Sequence, residues 1–225
     1  MARDALGNLA MRANVRIDEA AVIGVGLCLT IQELFASVIV LTDNGLASHA
    51  PLHVRTMLEA LADLRNLAND PIYVEQMRFD DARSNLKLFE GYAAVPGMEQ
   101  KAIDTLKEWT AKAQLVFDAA KSKGYKKLQI ADKLKMANLE QEYVSYGFLC
   151  GFTHNQLTAI IARHGKHELR YLHEPPYETM VGILALGLSI AGLAIQKLSS
   201  FSDLPEADIK AVVDDVEAAW ERARA

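Results

Sequence analysis

The chain has 225 residues, 51% of them apolar and 24% charged, with a formal net charge of −5. That length buries a substantial core, and the composition is that of an ordinary folded chain. The acidic balance argues against general nucleic-acid binding. Its two cysteines, Cys28 and Cys150, sit in no Cys-x-x-Cys or Cys/His pattern, which argues against structural zinc.

Helical periodicity runs along the whole chain, and no segment alternates apolar and polar residues as a strand would. The opening Met-Ala-Arg-Asp-Ala-Leu-Gly-Asn lacks the basic region, apolar core and cleavage site of a secretory signal. A first long helix is predicted from Asp18 to Leu41, closed by the turn residues Asp43-Asn44-Gly45. Ser48-His49-Ala50-Pro51 opens a second, to Ala68, with proline in the first turn where its missing donor costs nothing. Asn69-Asp70-Pro71 stops that helix and starts a third, to Ala93, with Asp70 as cap and Pro71 in the first helical position. Val95-Pro96-Gly97 turns the chain into a fourth, from Met98 to Ser122. These two charged helices pair as an antiparallel hairpin over 71–122 with one face in solvent.

A short amphipathic piece follows from Lys127 to Met136. Asn138-Leu-Glu-Gln141 then reads as a capping box opening a long helix from Leu139 to Arg163. An irregular connector, Gly165 to Tyr177, leads to an apolar helix from Glu178 to Ser199 and a polar one after Leu204-Pro205. The expectation is one all-α domain over residues 1–225, a bundle of about seven or eight helices with the hairpin as a protruding arm.

Two apolar runs bear on membranes. Ala20 to Val40 is interrupted by Gln32 and Glu33 and reads as a core helix. Met180 to Ile195 is apolar except for Ser189 but covers 16 residues, short of the about 20 that a spanning helix needs. Gly187, Ala191 and Ala194 on one face, and Ala185, Ser189 and Gly192 on another, suit this helix to a central position where neighbours come close. The reading is a buried bundle helix in a cytoplasmic protein, with two buried, reduced thiols.

Two polar stripes carry the candidate chemistry. Arg55, Glu59, Asp63 and Asn66 lie at i, i+4, i+8 and i+11, opposite the apolar Met57, Leu58, Leu61 and Leu64. This is either a solvated face with an Arg–Glu pair of about 0.3–0.5 kcal/mol, or a polar cluster between helices in which Arg55 binds an anion or orients a carboxylate. Glu142, Tyr146, Cys150 and His154 recur every four residues and gather a carboxylate, a phenol, a thiol and an imidazole on one stripe. His154 is then a base or acid, or a structural histidine bonded to a facing carboxylate such as Glu59. Thr153-His154-Asn155-Gln156 interrupts apolar surroundings at the same place, and Gly147 and Gly151 are read as letting a neighbouring helix approach it.

No helical Glu-x-x-His and no His-Glu-x-x-His occurs, and Gly24-Val-Gly26 lacks the third glycine and the preceding strand of a dinucleotide site. Neither a metal nor a cofactor is expected. Lysines 121, 123, 126, 127, 133 and 135 surround Tyr125, and Arg163, His164, Lys166, His167 and Arg170 extend that basic cluster. Solvated helix ends are favoured here over a nucleic-acid partner.

The segment Ala50-Pro-Leu-His-Val-Arg-Thr-Met-Leu-Glu-Ala-Leu-Ala-Asp-Leu, then Asn69-Asp70-Pro71, with Phe152-Thr153-His154-Asn155 later, resembles an uncharacterised bacterial family of helical domains of unknown function. The resemblance covers roughly residues 20 to 200 and implies an all-helical fold. Such proteins are distantly similar to the helical nucleotide-binding and ribonuclease (HEPN-like) class of toxin–antitoxin and phage-defence systems. Those nucleases set an arginine and a histidine further apart than Arg163 and His167, so their pattern is not met. The matched positions are Arg55, Glu59 and His154. Three readings follow. The first is a self-associating, cytoplasmic helical protein with an inter-helix cluster of Arg55, Glu59, Tyr146 and His154. The second is an RNA- or nucleotide-acting enzyme with His154 as base and Arg55 steadying a phosphate. The third is a membrane-associated protein inserting residues 180–195.

Overall fold

Met57, Leu58, Leu61 and Leu64 share one face of a helix, and all four are completely buried. The structure, a computed structural model, describes residues 2–154, 156–165, 168–171, 173 and 175–224. Among these are ten α-helices. They are α1 (Ala2–Met11), α2 (Glu19–Asp43), α3 (Ala50–Asn69), α4 (Tyr73–Ala93), α5 (Gln100–Ser122), α6 (Ile130–Met136), α7 (Glu142–Thr153), α8 (Leu157–His164), α9 (Tyr177–Ile195) and α10 (Glu206–Arg224). Two 3-10 turns, Ala47–His49 and Leu198–Ser200, lead into α3 and follow α9. An isolated antiparallel bridge joins Val15 to Ser202.

The all-α expectation holds, but seven or eight helices is too few. Leu6, Leu9 and Ala10 are buried on α1, an amphipathic segment the sequence reading passed over. The helix expected from Leu139 to Arg163 is two helices, α7 and α8. The capping box is also corrected. Asn138 takes a left-handed backbone (φ 53°), a conformation that asparagine tolerates. From there its N–H donates to the Lys135 carbonyl (3.1 Å) and that of Leu139 to the Leu134 carbonyl (2.8 Å). That is a Schellman closure of α6, so the residue read as opening a helix ends the previous one.

The chain forms two compact units, Met1–Asn69 with Ile130–Ala225, and Asp70–Gln129. In the first unit α3 is the hub, packed against α2, α6, α7 and α9. Helix α9 lies close because of its small residues. A Cβ added to Gly187 would stand 3.3 Å from the Phe35 ring, and Ala191 and Ala194 are fully buried. Their carbonyls accept hydrogen bonds from Gln32 Nε2 (3.1 Å) and Cys28 Sγ (3.3 Å). The other small face is looser, with Ser189 exposed. Gln32, read as an interruption of the apolar run, therefore points inward, where its Nε2 finds a backbone acceptor while its Oε1 is buried without a hydrogen-bond partner among the described residues.

Both cysteines are free; Cys28 is buried and Cys150 half-buried. Burial pushes the Cys28 thiol up to about 12, which keeps it protonated and unreactive. By length and composition α2 and the stretch Tyr177–Ser200 could each cross a membrane, with mean hydropathies of 2.0 and 1.9. The second stretch exceeds the 16 residues counted from sequence because the first turn of α9 and the 3-10 turn lengthen it.

In the second unit α4 and α5 run antiparallel, with Phe79 on Phe117 (5.2 Å) and Phe89 beside Trp109 (5.9 Å). Tyr73, Gln76, Phe79, Ala82 and Ala120 are buried at its base, and Gln76 Nε2 donates to the Lys126 carbonyl (3.0 Å). Helix α4 starts two residues later than expected. Asp70 does not cap it: its Oδ1 accepts from the Ile72 N–H (2.9 Å) within the turn of Pro71 and Ile72, and Ile72, the residue before the helix, makes no side-chain cap bond.

Candidate functional site

Arg55 and Glu59 are one turn apart on α3, so their side chains lie side by side on the face that meets α7. Arg55 Nη2 donates to Glu59 Oε1 (2.8 Å) and to the Tyr146 hydroxyl (3.0 Å), and that hydroxyl donates to the same carboxylate oxygen (2.8 Å). Arg55 Nη1 donates to Thr153 Oγ1 (3.2 Å), and the guanidinium carbon stands 5.2 Å from the Tyr146 ring centroid, within cation–π range. Tyr146 and Thr153 are seven residues apart and therefore share one face of α7. The second polar stripe thus meets the first through a phenol and a hydroxyl.

Electrostatics follow from this closure. Burial works against the Arg55 charge, but the Tyr146 hydroxyl and the Glu59 carboxylate outweigh it and hold the guanidinium's pKa above its ordinary range. For Tyr146, burial and the neighbouring carboxylate outweigh the arginine and push the phenol up to about 12. The phenol is therefore a neutral donor at physiological pH, not a base. Further along α3, Asp63 pairs with Lys133 of α6 (3.1 Å), and Asn66 Nδ2 donates to the Lys133 carbonyl (3.0 Å). All four members of the α3 stripe face other helices, which favours the inter-helix reading of that stripe over the solvated one.

His154 stands apart. It is the C-cap of α7, its backbone N–H reaching the Cys150 carbonyl (3.2 Å), while its ring is exposed and makes no hydrogen bond to Arg55, Glu59 or Tyr146. Glu59 faces Tyr146 instead of a histidine. Glu142 also lies outside the cluster.

The reason is the helix break. Gln156 adopts extended backbone as the N-cap of α8, and Arg163 reaches back to the Phe152 carbonyl (2.9 Å) with its guanidinium 5.9 Å from the Phe152 ring centroid. An open carbonyl at the end of α7 gains a charged donor this way. Arg163 is a residue the sequence reading placed only in a basic cluster, and its role was invisible while α7 and α8 were read as one helix. Gly151 accommodates the Gln156 side chain, 3.1 Å from where a Cβ would be, whereas Gly147 faces open space and admits no neighbour. Asn155 lies outside the described residues.

Part of the basic cluster is taken up by local partners. Lys123 pairs with Glu75 (2.9 Å), Lys121 lies 5.6 Å from the Phe117 ring centroid, and Arg170 pairs with Glu168 (2.9 Å). Lys166 and His167 lie outside the described residues. Among the described residues no three His, Cys, Asp or Glu side chains group as metal ligands. The chain matches no curated protein and no solved structure. A family model does match, over residues 21–171, which include α3, α7, α8 and the whole Arg55–Tyr146 cluster, and the chain belongs to that family, the family of unknown function DUF5677.

Proposed function

We propose that this is a non-catalytic, cytoplasmic helical-bundle protein that acts by self-association, with Arg55, Glu59, Tyr146 and Thr153 as a lock between α3 and α7. The observation that carries the lock is its set of hydrogen bonds: four side chains bond one another while His154, the candidate base, bonds none of them. Arg55→Ala leaves a half-buried carboxylate and phenol without their donor, at about 1.5–3 kcal/mol. At about 2–4 °C per kcal/mol for a chain of this size, the melting temperature falls by several degrees. Arg55→Lys rescues little, because an ammonium lacks the planar fork that serves partners on both sides. His154→Ala leaves the melting temperature within about 2 °C of the parent. Parental melting of Arg55→Ala would remove the lock.

Two free thiols support the cytoplasmic reading, and an open apolar groove flanked by Leu86, Phe89, Ile103 and Leu106 supports self-association. After lysis without detergent the protein is expected in the supernatant of a high-speed spin. Recovery in the membrane pellet would favour insertion of residues 180–195 instead.

One observation favours a second reading, the RNA- or nucleotide-acting enzyme: Arg55 Nε has no hydrogen-bond partner among the described residues, a donor that the lock leaves unused. That reading requires turnover of RNA or nucleotides by the purified protein, abolished by His154→Ala at unchanged melting temperature.

A further inference from the structure

The outer part of the α4–α5 hairpin has no core of its own. Between Ala82 and Ala120 no residue is buried. Leu86, Phe89 and Ala93 of α4 and Ile103, Leu106 and Thr110 of α5 recur at i, i+3 and i+7, and they flank a groove of about 620 Å³. Two helices can bury only the seam between them, and a groove flanked by two such stripes is where the other pair of a four-helix bundle sits.

We propose that this groove seats the same groove of a second copy of the chain, closing an intermolecular four-helix bundle. The inference rests on the self-association reading above and assigns it a surface. Charge selects the occupant. The groove carries Glu90 on its α4 side and Lys107 on its α5 side, both exposed, and Lys107 is held only loosely by Asp104 at 3.8 Å. The Phe89–Trp109 contact sets residues 90 and 107 at nearly the same height along the hairpin. A two-fold axis parallel to the helices lays α4 of each copy over α5 of the other at equal height, every neighbour antiparallel. Each Glu90 then faces Lys107 of the second copy, once in each half of an isologous interface. The groove on the opposite face, with Leu88, Tyr92 and Trp109, has its charges at Glu99 and Lys101, both at the start of α5. They give no acid on one helix to answer a base on the other, and farther along that face, where Asp81 lies on α4, Lys112 of α5 is already paired with Glu108 of its own helix.

The test is the mass of the full-length protein in solution, by light scattering across a dilution series, for the parent, Glu90→Lys, Lys107→Glu and the double variant. Both positions are exposed, so circular dichroism should report an unchanged fold. The expected result is a dimer whose dissociation constant rises about tenfold in each single variant, from two like-charge pairs replacing two attractive ones, and returns to the parent's in the double variant. A parent that is monomeric at every concentration overturns both this proposal and self-association. A dimer indifferent to all three variants overturns the groove and leaves self-association standing. Weakening in the single variants without recovery in the double overturns the Glu90–Lys107 pairing and with it the proposed two-fold.

Discussion

Gly24→Val is expected to cost about 3 kcal/mol or more, lowering the melting temperature by roughly 6–12 °C at about 2–4 °C per kcal/mol. A Cβ at Gly24 would stand 2.6–2.7 Å from three atoms of the Phe201 ring, a separation that no pair of carbons tolerates. The ring has little room to swing aside. Phe201 is 2% exposed, and its carbonyl accepts from the Arg16 N–H (3.1 Å), next to the Val15–Ser202 bridge. Either the ring leaves its rotamer or α2 moves off the 3-10 turn, and both forfeit close packing. The control lies two residues away in the same helix. A Cβ at Gly26 meets nothing within 4 Å, so Gly26→Ala should gain about 0.5–1 kcal/mol by removing backbone freedom from the unfolded chain. Opposite signs at Gly24 and Gly26, read by thermal denaturation, check the placement of Phe201; equal effects would refute it.

Leu61→Ala should cost about 2–5 kcal/mol, through lost transfer energy and the cavity left behind. Leu61 is wholly buried on α3, the helix that packs against α2, α6, α7 and α9, so collapse around the gap would have to move several helices together. Leu115→Ala on α5 makes the same chemical change at a side chain 73% exposed, where the expected effect is within about 0.5 kcal/mol. Chemical denaturation of both variants beside the parent measures the difference, and near-equal midpoints would place Leu61 outside the core.

Much of the fold was legible because its signals are local. Asp18 accepts from the Ala21 N–H at the start of α2 (2.9 Å), as an N-cap aspartate should. Gly45 ends that helix with φ 71°, and the buried face of α3 follows directly from the spacing of Met57, Leu58, Leu61 and Leu64. The candidate site was half legible. The Arg55–Glu59 pair is a one-turn relation, and the stripe through Tyr146 is a period of the helix. What could not be read was which member of that stripe Glu59 would meet. His154 has the chemistry and Tyr146 has the position.

By itself, then, the sequence determined an all-helical chain, the buried and polar faces of α3, the pairing of α4 with α5, and two small-residue faces on α9, of which the structure turns one inward. Each of these depends on residues within a turn or two of one another, where a period of 3.6 and a turn residue leave few alternatives. Tertiary structure alone decided that α7 ends at Thr153, that Arg163 returns to Phe152, and that Arg55 meets Thr153 across 98 positions and Glu59 meets Tyr146 across 87. The run from Leu139 to Arg163 has helical periodicity throughout. It breaks because a charged donor and a packed ring at its far end stabilise a turn that local propensity does not predict.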